Sequence, residues 1–218
     1  MKFDQRKLAE GALYTDLYQL TMAQVYYRLG IHEKTAQFDY FFRSYPDYGL
    51  HQAGYCVNAG LEWFLDWVQE STFGQPEIDY LSNLKNNQGG ALFSKDFLNW
   101  LKGKNVAVGL DLQSIPEGRV VHPYIPIAIV QGPLLFAQII ESSLLNHLNY
   151  QTLIATKAAR IYDSSQGNMV VDFGMRRAQD RAASAGVRAS IIGGASASSH
   201  TGASAILGYR PSGTHAHS

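Results

Sequence analysis

Three rhythms of apolar and polar positions follow one another along this chain of 218 residues. In the first, Leu17, Leu20, Ala23 and Tyr27 recur near helical spacing, Thr15 stands where a cap belongs, and Gly30 falls where a helix would stop, so 15–29 is predicted to be helical. The period then shortens: 35–43 (TAQFDYFFR) is aromatic and roughly alternating, as a half-buried strand is. Residues 60–69 and 93–101 return to an amphipathic helical spacing on either side of the polar turn Asn86-Asn87-Gln88-Gly89-Gly90. Between Val106 and Pro133, apolar runs are cut by Pro116-Glu117-Gly118, His122-Pro123, Ile125-Pro126 and Gly132-Pro133, which predicts a small module of short strands and turns. From Leu134 to Tyr162 there is no Gly or Pro, and the stretch reads as one long helix broken near Asn149.

The last rhythm alternates strand with helix: strands at 169–173, 190–192 and 211–214, helices at 177–189 and 199–207. The fold class expected is an α+β N-terminal domain with a β-module over 1–133, followed over 134–218 by a long helix and the first units of an incomplete α/β barrel. Each expected strand is followed by a polar or glycine-rich segment, 174–177, 193–196 and 215–217, and in a barrel all three would converge on one face. A closed barrel needs about eight such units and the sequence offers about three, so the chain is expected to stop inside its own site and to be inactive alone.

Composition narrows the functional classes. The chain is 46% hydrophobic, enough for a real core, and its 18 basic residues equal its 18 acidic ones. No net field exists to recruit nucleic acid or an anionic membrane surface. The lone Cys56 excludes an intrachain disulfide framework, no apolar leader opens the sequence, and no apolar stretch reaches the roughly 18 residues of a membrane span. A cytoplasmic protein is expected.

Several residues carry candidate chemistry, each beside a plainer reading. Arg176 and Arg177, just after an expected strand, could hold a phosphate through planar paired contacts, or be surface arginines. Tyr18 could stack on a flat ligand or simply pack, and Arg43 is either a phosphate ligand or a solvated strand end. His215 and His217 have a spacing that can hold a metal after a barrel strand, yet no later His or carboxylate completes the set. One histidine acting as a phosphoryl acceptor needs only a neutral imidazole and an orienting partner. A serine relay of Ser196, His200 and Asp172 can be drawn, but the Gly-x-Ser-x-Gly elbow is missing.

Taken in order, TDLYQLTMA (15–23), FDYFFR (38–43), AGLEWFLDWV (59–68), PEGRVVHPYIPIAIVQGPL (116–134), LNHLNYQTLIATKAAR (145–160), DFGMRRAQ (172–179) and GTHAHS (213–218) resemble the nicotinate phosphoribosyltransferases. TDLYQLTM and FGMRRAQ look more like the nicotinate than the nicotinamide branch. The resemblance implies a type II phosphoribosyltransferase-like fold. It also implies transfer of a phosphoribosyl group from 5-phosphoribosyl 1-diphosphate to nicotinate, with release of diphosphate, in NAD salvage. ATP hydrolysis is coupled through a phosphorylated histidine, for which His217 matches, and Mg²⁺ accompanies the diphosphate substrates. By the same matching Thr214 contacts nicotinate, Phe173 and a neighbouring subunit's Tyr18 sandwich its ring, and Arg176 and Arg43 meet phosphate or diphosphate. His215 falls at a variable position. A homodimer with shared sites is implied.

Members of the family are normally about twice as long, their further barrel strands lying downstream of the GTHAHS block. The chain is therefore read as the N-terminal half of such an enzyme, expected to aggregate, to dimerise or to require a second polypeptide that supplies the missing half. The competing reading is an inert truncated fragment or one half of a split enzyme. A metal-dependent barrel hydrolase is the remote third.

Overall fold

The computed structural model describes residues 9–50 and 52–216. They form a mixed α/β structure of two compact units that interleave along the chain: Met1–Tyr40, Glu62–Gln113 and Ala128–Asn146 in the first, and Phe41–Leu61, Ser114–Ile127 and His147–Ser218 in the second. Among the described residues no helix is long and apolar enough to cross a membrane.

The first unit is organised around aromatic side chains. Strand β1 (Thr35–Tyr40) runs antiparallel to β5 (Ala128–Pro133), with Thr35 opposite Pro133 and Tyr40 opposite Ala128, and β5 also pairs with β3 (Asp111–Ser114). Helix α5 (Leu134–Ile139) follows β5 directly and packs against the sheet and against α1 (Leu17–Arg28). Helices α2 (Leu61–Glu70), α3 (Gln75–Asn83) and α4 (Lys95–Leu101) complete the layer. Ser94 caps α4 by accepting a bond from Phe97 N–H, satisfying one of the donors a helix start leaves open. Phe64, Phe73, Phe97 and Phe136 are the largest fully buried side chains here. Trp100 stacks on Phe136 with ring centres 5.8 Å apart, and Tyr27 leans on Phe97 at 5.6 Å.

Helix α1 is unusual in burying amides. Gln19 donates to Glu141 Oε2 at 2.8 Å and accepts from Gln138, while Gln24 donates to Leu92 C=O and accepts from Ser94 N–H. Tyr18, Met22, Val25 and Leu29 stand on the exposed side. Thr15 is not its cap. Asp16 occupies that position, and the Thr15 hydroxyl donates instead to Ile139 C=O at 2.9 Å.

The second unit uses small side chains. Strand β2 (Cys56–Val57) pairs antiparallel with β4 (Val120–Val121), and the core joins Val57 and Ala59 to Ala155 of α6 (Glu141–Ser164) and Ala189 of α7 (Arg181–Ile192). Hydroxyls of α6 reach out to this backbone: Val57 N–H donates to Thr156 Oγ1 at 2.9 Å and Ala59 N–H to Thr152 Oγ1 at 3.2 Å. Two glycines allow such approach. A Cβ on Gly60 (φ +105°) would lie 2.2 Å from His147 C=O, and one on Gly193 would lie 2.3 Å from Ala155 C=O.

Strand β6 (Val171–Asp172) is parallel to β7 (Ala197–Ser198), with Asp172 directly opposite Ser198, and α8 (Thr201–Leu207) follows β7. This corrects several expectations. Ser190-Ile191-Ile192 is the last turn of α7 and not a strand, because the alanine-rich helix carries through its β-branched end. The second parallel strand is the brief β7 further on. Residues 211–214 form no strand; Ser212 N–H makes a single bond to Ser198 C=O at 2.9 Å. The first strand ends at Tyr40, leaving Arg43 in a loop. The long helix is interrupted at Ile140, not Asn149, where the Thr15 hydroxyl takes up a carbonyl at the junction.

Candidate active site

Parallel strands leave their carboxyl ends on one side, and the loops beyond those ends are where α/β proteins build ligand sites. In the second unit an open cleft of about 750 Å³ lies there. Phe173, Met175 and Arg176 enter it from the loop after β6, Ser199 and Thr201 from the turn after β7, and Pro211 to Ala216 from the segment after α8.

A hydrogen-bond frame fixes these segments. Asp172 Oδ1 accepts from Gly174 N–H at 3.2 Å, and its Oδ2 accepts from the Ser198 hydroxyl at 3.0 Å. Ser198 Oγ in turn accepts from His200 N–H at 3.1 Å, and Ser198 C=O receives Ser212 N–H. A short 3₁₀ turn (Met175–Arg177) follows Gly174, closed by Arg177 N–H donating to Gly174 C=O at 2.8 Å. The arginine pair therefore sits in this turn and not at the start of α7.

Phe173 is 52% exposed, so its ring is available to a flat apolar ligand. Arg176 and Thr214 are also exposed in the cleft wall, giving a permanent positive charge and a hydroxyl within one concavity. Three of the residues singled out in the sequence thus share a cleft, although up to 41 positions separate them. Arg43 is exposed in the loop after β1, outside the cleft lining. Tyr18 lies on α1 in the first unit, half exposed, and its phenol donates to Glu141 Oε2 at 3.2 Å. Burial, then the neighbouring Glu141 charge and hydrogen bond, push the Tyr18 phenol above its ordinary value. His217 lies outside the described residues.

His215 lines the cleft, and among the described residues no group of three or more His, Cys, Asp or Glu side chains could hold a metal ion. The drawn serine relay does not assemble: Asp172 bonds Ser198, while His200 Nε2 sits 3.3 Å from Ser184 Oγ and its Nδ1 accepts from Ala203 N–H. The sequence reading passed over Met175, Ser199, Thr201 and Ser212. For Ser199 the available signal was the serine-rich stretch Ser196-Ala197-Ser198-Ser199, hidden by the brevity of β7.

Also unread from sequence was a largely buried ion pair elsewhere in the second unit. Glu117 takes Arg188 Nη1 at 2.9 Å and Nη2 at 2.5 Å, together with the N–H groups of Gly60 and Leu61. Burial alone would raise the Glu117 carboxyl. The bonds and charge of Arg188, with the two backbone donors, outweigh it and hold Glu117 below the usual carboxylate range.

Known proteins match this architecture. A family model described as the nicotinate phosphoribosyltransferase (NAPRTase) N-terminal domain matches residues 13–149. The nicotinate phosphoribosyltransferase of Bacillus subtilis (strain 168) is 43% identical over 207 residues, covering 94% of this chain and 40% of that protein. The crystal structure of human nicotinic acid phosphoribosyltransferase superposes with a TM-score of 0.81 at 30% identity, covering 94% of this chain and 40% of that one. A nicotinate-nucleotide pyrophosphorylase from Pyrococcus furiosus shares the fold, with a TM-score of 0.73 at 21% identity over 100% of this chain and 45% of that one. The chain spans about two fifths of the length of the curated relatives it matches.

Proposed function

Because the chain belongs to the nicotinate phosphoribosyltransferase family, we propose that its cleft is the nicotinate end of a phosphoribosyl-transfer site. The observation that carries this reading is the meeting of Phe173, Arg176 and Thr214 in one concavity beyond two parallel strands. In the reaction, the pyridine nitrogen of nicotinate bonds to C1 of 5-phosphoribosyl 1-diphosphate as the C1–O bond to diphosphate breaks, giving nicotinate mononucleotide and diphosphate.

That displacement calls for positioning and charge stabilisation more than for acid–base chemistry. Phe173 offers a face to the pyridine ring, Thr214 a hydroxyl to its carboxylate, and Arg176 a fixed cation to substrate anions. Tyr18 of a neighbouring subunit closes the other face of the ring, so the working assembly is a homodimer. Arg43 serves a substrate phosphate. Mg²⁺, when bound with 5-phosphoribosyl 1-diphosphate or ATP, would offset the negative charge of their phosphate groups. His217, next in sequence to the cleft residue Ala216, accepts the terminal phosphoryl group of ATP on a neutral imidazole nitrogen, releasing ADP. Water later removes that group as phosphate, and the cycle is linked to substrate affinity.

The parallel β6–β7 pair supports a type II phosphoribosyltransferase-like barrel for the whole catalytic unit. Turnover at a normal rate draws on polypeptide beyond these residues, in one chain or in a second, as the coverage of relatives supports.

Ligand-observed saturation-transfer NMR tests the cleft directly. Nicotinate should bind more tightly than nicotinamide, and Phe173→Ala or Arg176→Ala should each weaken it about tenfold. Equal binding by the two variants and the native chain would overturn the assignment. Formation of nicotinate mononucleotide, with and without ATP, by native and His217→Ala proteins supplied with the C-terminal portion of a relative tests the coupling: ATP should raise the rate of the native protein and not of the variant.

A further inference from the structure

The cleft wall is made of three separate segments, and all three are tied to one cross-strand pair. Asp172 and Ser198 are register partners at the ends of β6 and β7, and their side chains bond to each other at 3.0 Å. From Asp172 a second carboxylate oxygen holds Gly174 N–H, fixing the chain between Phe173 and Arg176. Ser198 Oγ holds His200 N–H, between the lining residues Ser199 and Thr201. Ser198 C=O holds Ser212 N–H, at the start of the run that carries Thr214.

Resting on the reading of the cleft as the nicotinate site, we propose that Asp172 and Ser198 are positioning residues for it. Neither lines the cleft. Together they set the separation of the Phe173 ring, the Arg176 guanidinium and the Thr214 hydroxyl. The frame is short of alternatives: two-residue strands offer few ladder bonds to hold the loops, so side chains replace a longer sheet. Ser198 is completely buried, so neither its hydroxyl nor its carbonyl has water as a substitute partner. A carboxylate suits position 172 because it accepts two bonds and donates none. Any residue with a Cβ at 174 would press on it, since that atom would lie 2.8 Å from Asp172 Oδ1.

Two readouts on Asp172→Ala, Ser198→Ala and Asp172→Asn test the pair. In hydrogen exchange without ligand, either alanine variant should loosen both 173–176 and 199–201, the two loops joined by the Asp172–Ser198 bond that it removes, by about tenfold, while the middle of α6 keeps its protection. In saturation-transfer NMR, nicotinate should bind either alanine variant about tenfold more weakly. Asp172→Asn should recover part of both, because its amide oxygen still accepts from Gly174 N–H and its NH2 can reach Ser198 Oγ, although the buried hydroxyl loses its own acceptor. Loosening confined to the altered loop, or no rescue by asparagine, would overturn the proposal. If Asp172→Ala unfolds, Ser198→Ala decides, since it keeps the carboxylate and its bond to Gly174. The two readings fail separately: no nicotinate binding by the native chain with coordinated loosening removes the ligand and leaves the frame. Native binding matched by both alanine variants removes the frame and leaves the ligand.

Discussion

The two units are packed by opposite means. In the first, rings fill space: Phe64, Phe73, Phe97 and Phe136 are almost or completely buried, and an unbroken series of tilted and stacked pairs surrounds Trp100. In the second, backbone approaches backbone around a cluster of Ala155, Ala189, Ala59 and Val57, with Gly60 and Gly193 where a methyl group would collide, a constraint that the first unit repeats at Gly132 of β5. A ring core is sensitive to subtraction, because a removed side chain leaves a void. A small-residue core is sensitive to addition, because no void exists to receive a new atom. The cleft lies in the second kind of unit, where short side chains let several backbone segments meet at hydrogen-bond distance.

The sharpest break of this contrast should come from one methyl group. Gly60→Ala combines a positive φ with a contact of 2.2 Å to a carbonyl and should cost about 5 kcal/mol in urea unfolding. Phe97→Ala should cost about 4 kcal/mol by cavity formation, whereas Phe97→Leu should cost about 1 kcal/mol. If the contrast holds, Ala189→Val in the other unit should cost about 2 kcal/mol and Ala189→Gly only about 1 kcal/mol. A reversed order at either position would contradict it.

Glu117 adds a pH signature to the second unit alone. Its folded carboxyl lies below its ordinary range, so it binds protons more weakly folded than unfolded. The stabilisation is complete above the unfolded value, about 4.3, and is lost as pH falls through the lowered folded value. Glu117→Gln should therefore lower the melting temperature near neutrality, with the gap closing as the solution is acidified. A comparably small effect is expected at Ser94, whose replacement by alanine should cost about 1 kcal/mol through the lost cap of α4.

The same contrast decides what the sequence disclosed. The spacing of large apolar side chains announces β1, α1, α2 and α4 in the first unit, because such side chains mark faces with a clear period, but it does not announce α3 (Gln75–Asn83). In the second unit Ala, Ser and Gly carry almost no period, so β7 was invisible and the end of α7 was mistaken for it. The helix interruption at Ile140 was unreadable for another reason. The junction carries a bond from the Thr15 hydroxyl to Ile139 C=O, 124 positions away in sequence. Phe173, Arg176 and Thr214 were singled out through a family resemblance and local chemistry; their common cleft required the parallel register of β6 and β7. Glu117 and Arg188 stand 71 positions apart, and nothing local joins them.

The amides inside α1 bear on the aim of a single ring. An apolar helix face resists turning about its own axis only through packing, which carries no directional bond. Gln19 and Gln24 resist it directionally, because each needs named partners at both its oxygen and its nitrogen, and a modest rotation would strand all of them. They index the helix like the teeth of a detent. Tyr18 is the immediate neighbour of Gln19, so the compass bearing of its outward phenol is chosen on the concealed side of the helix.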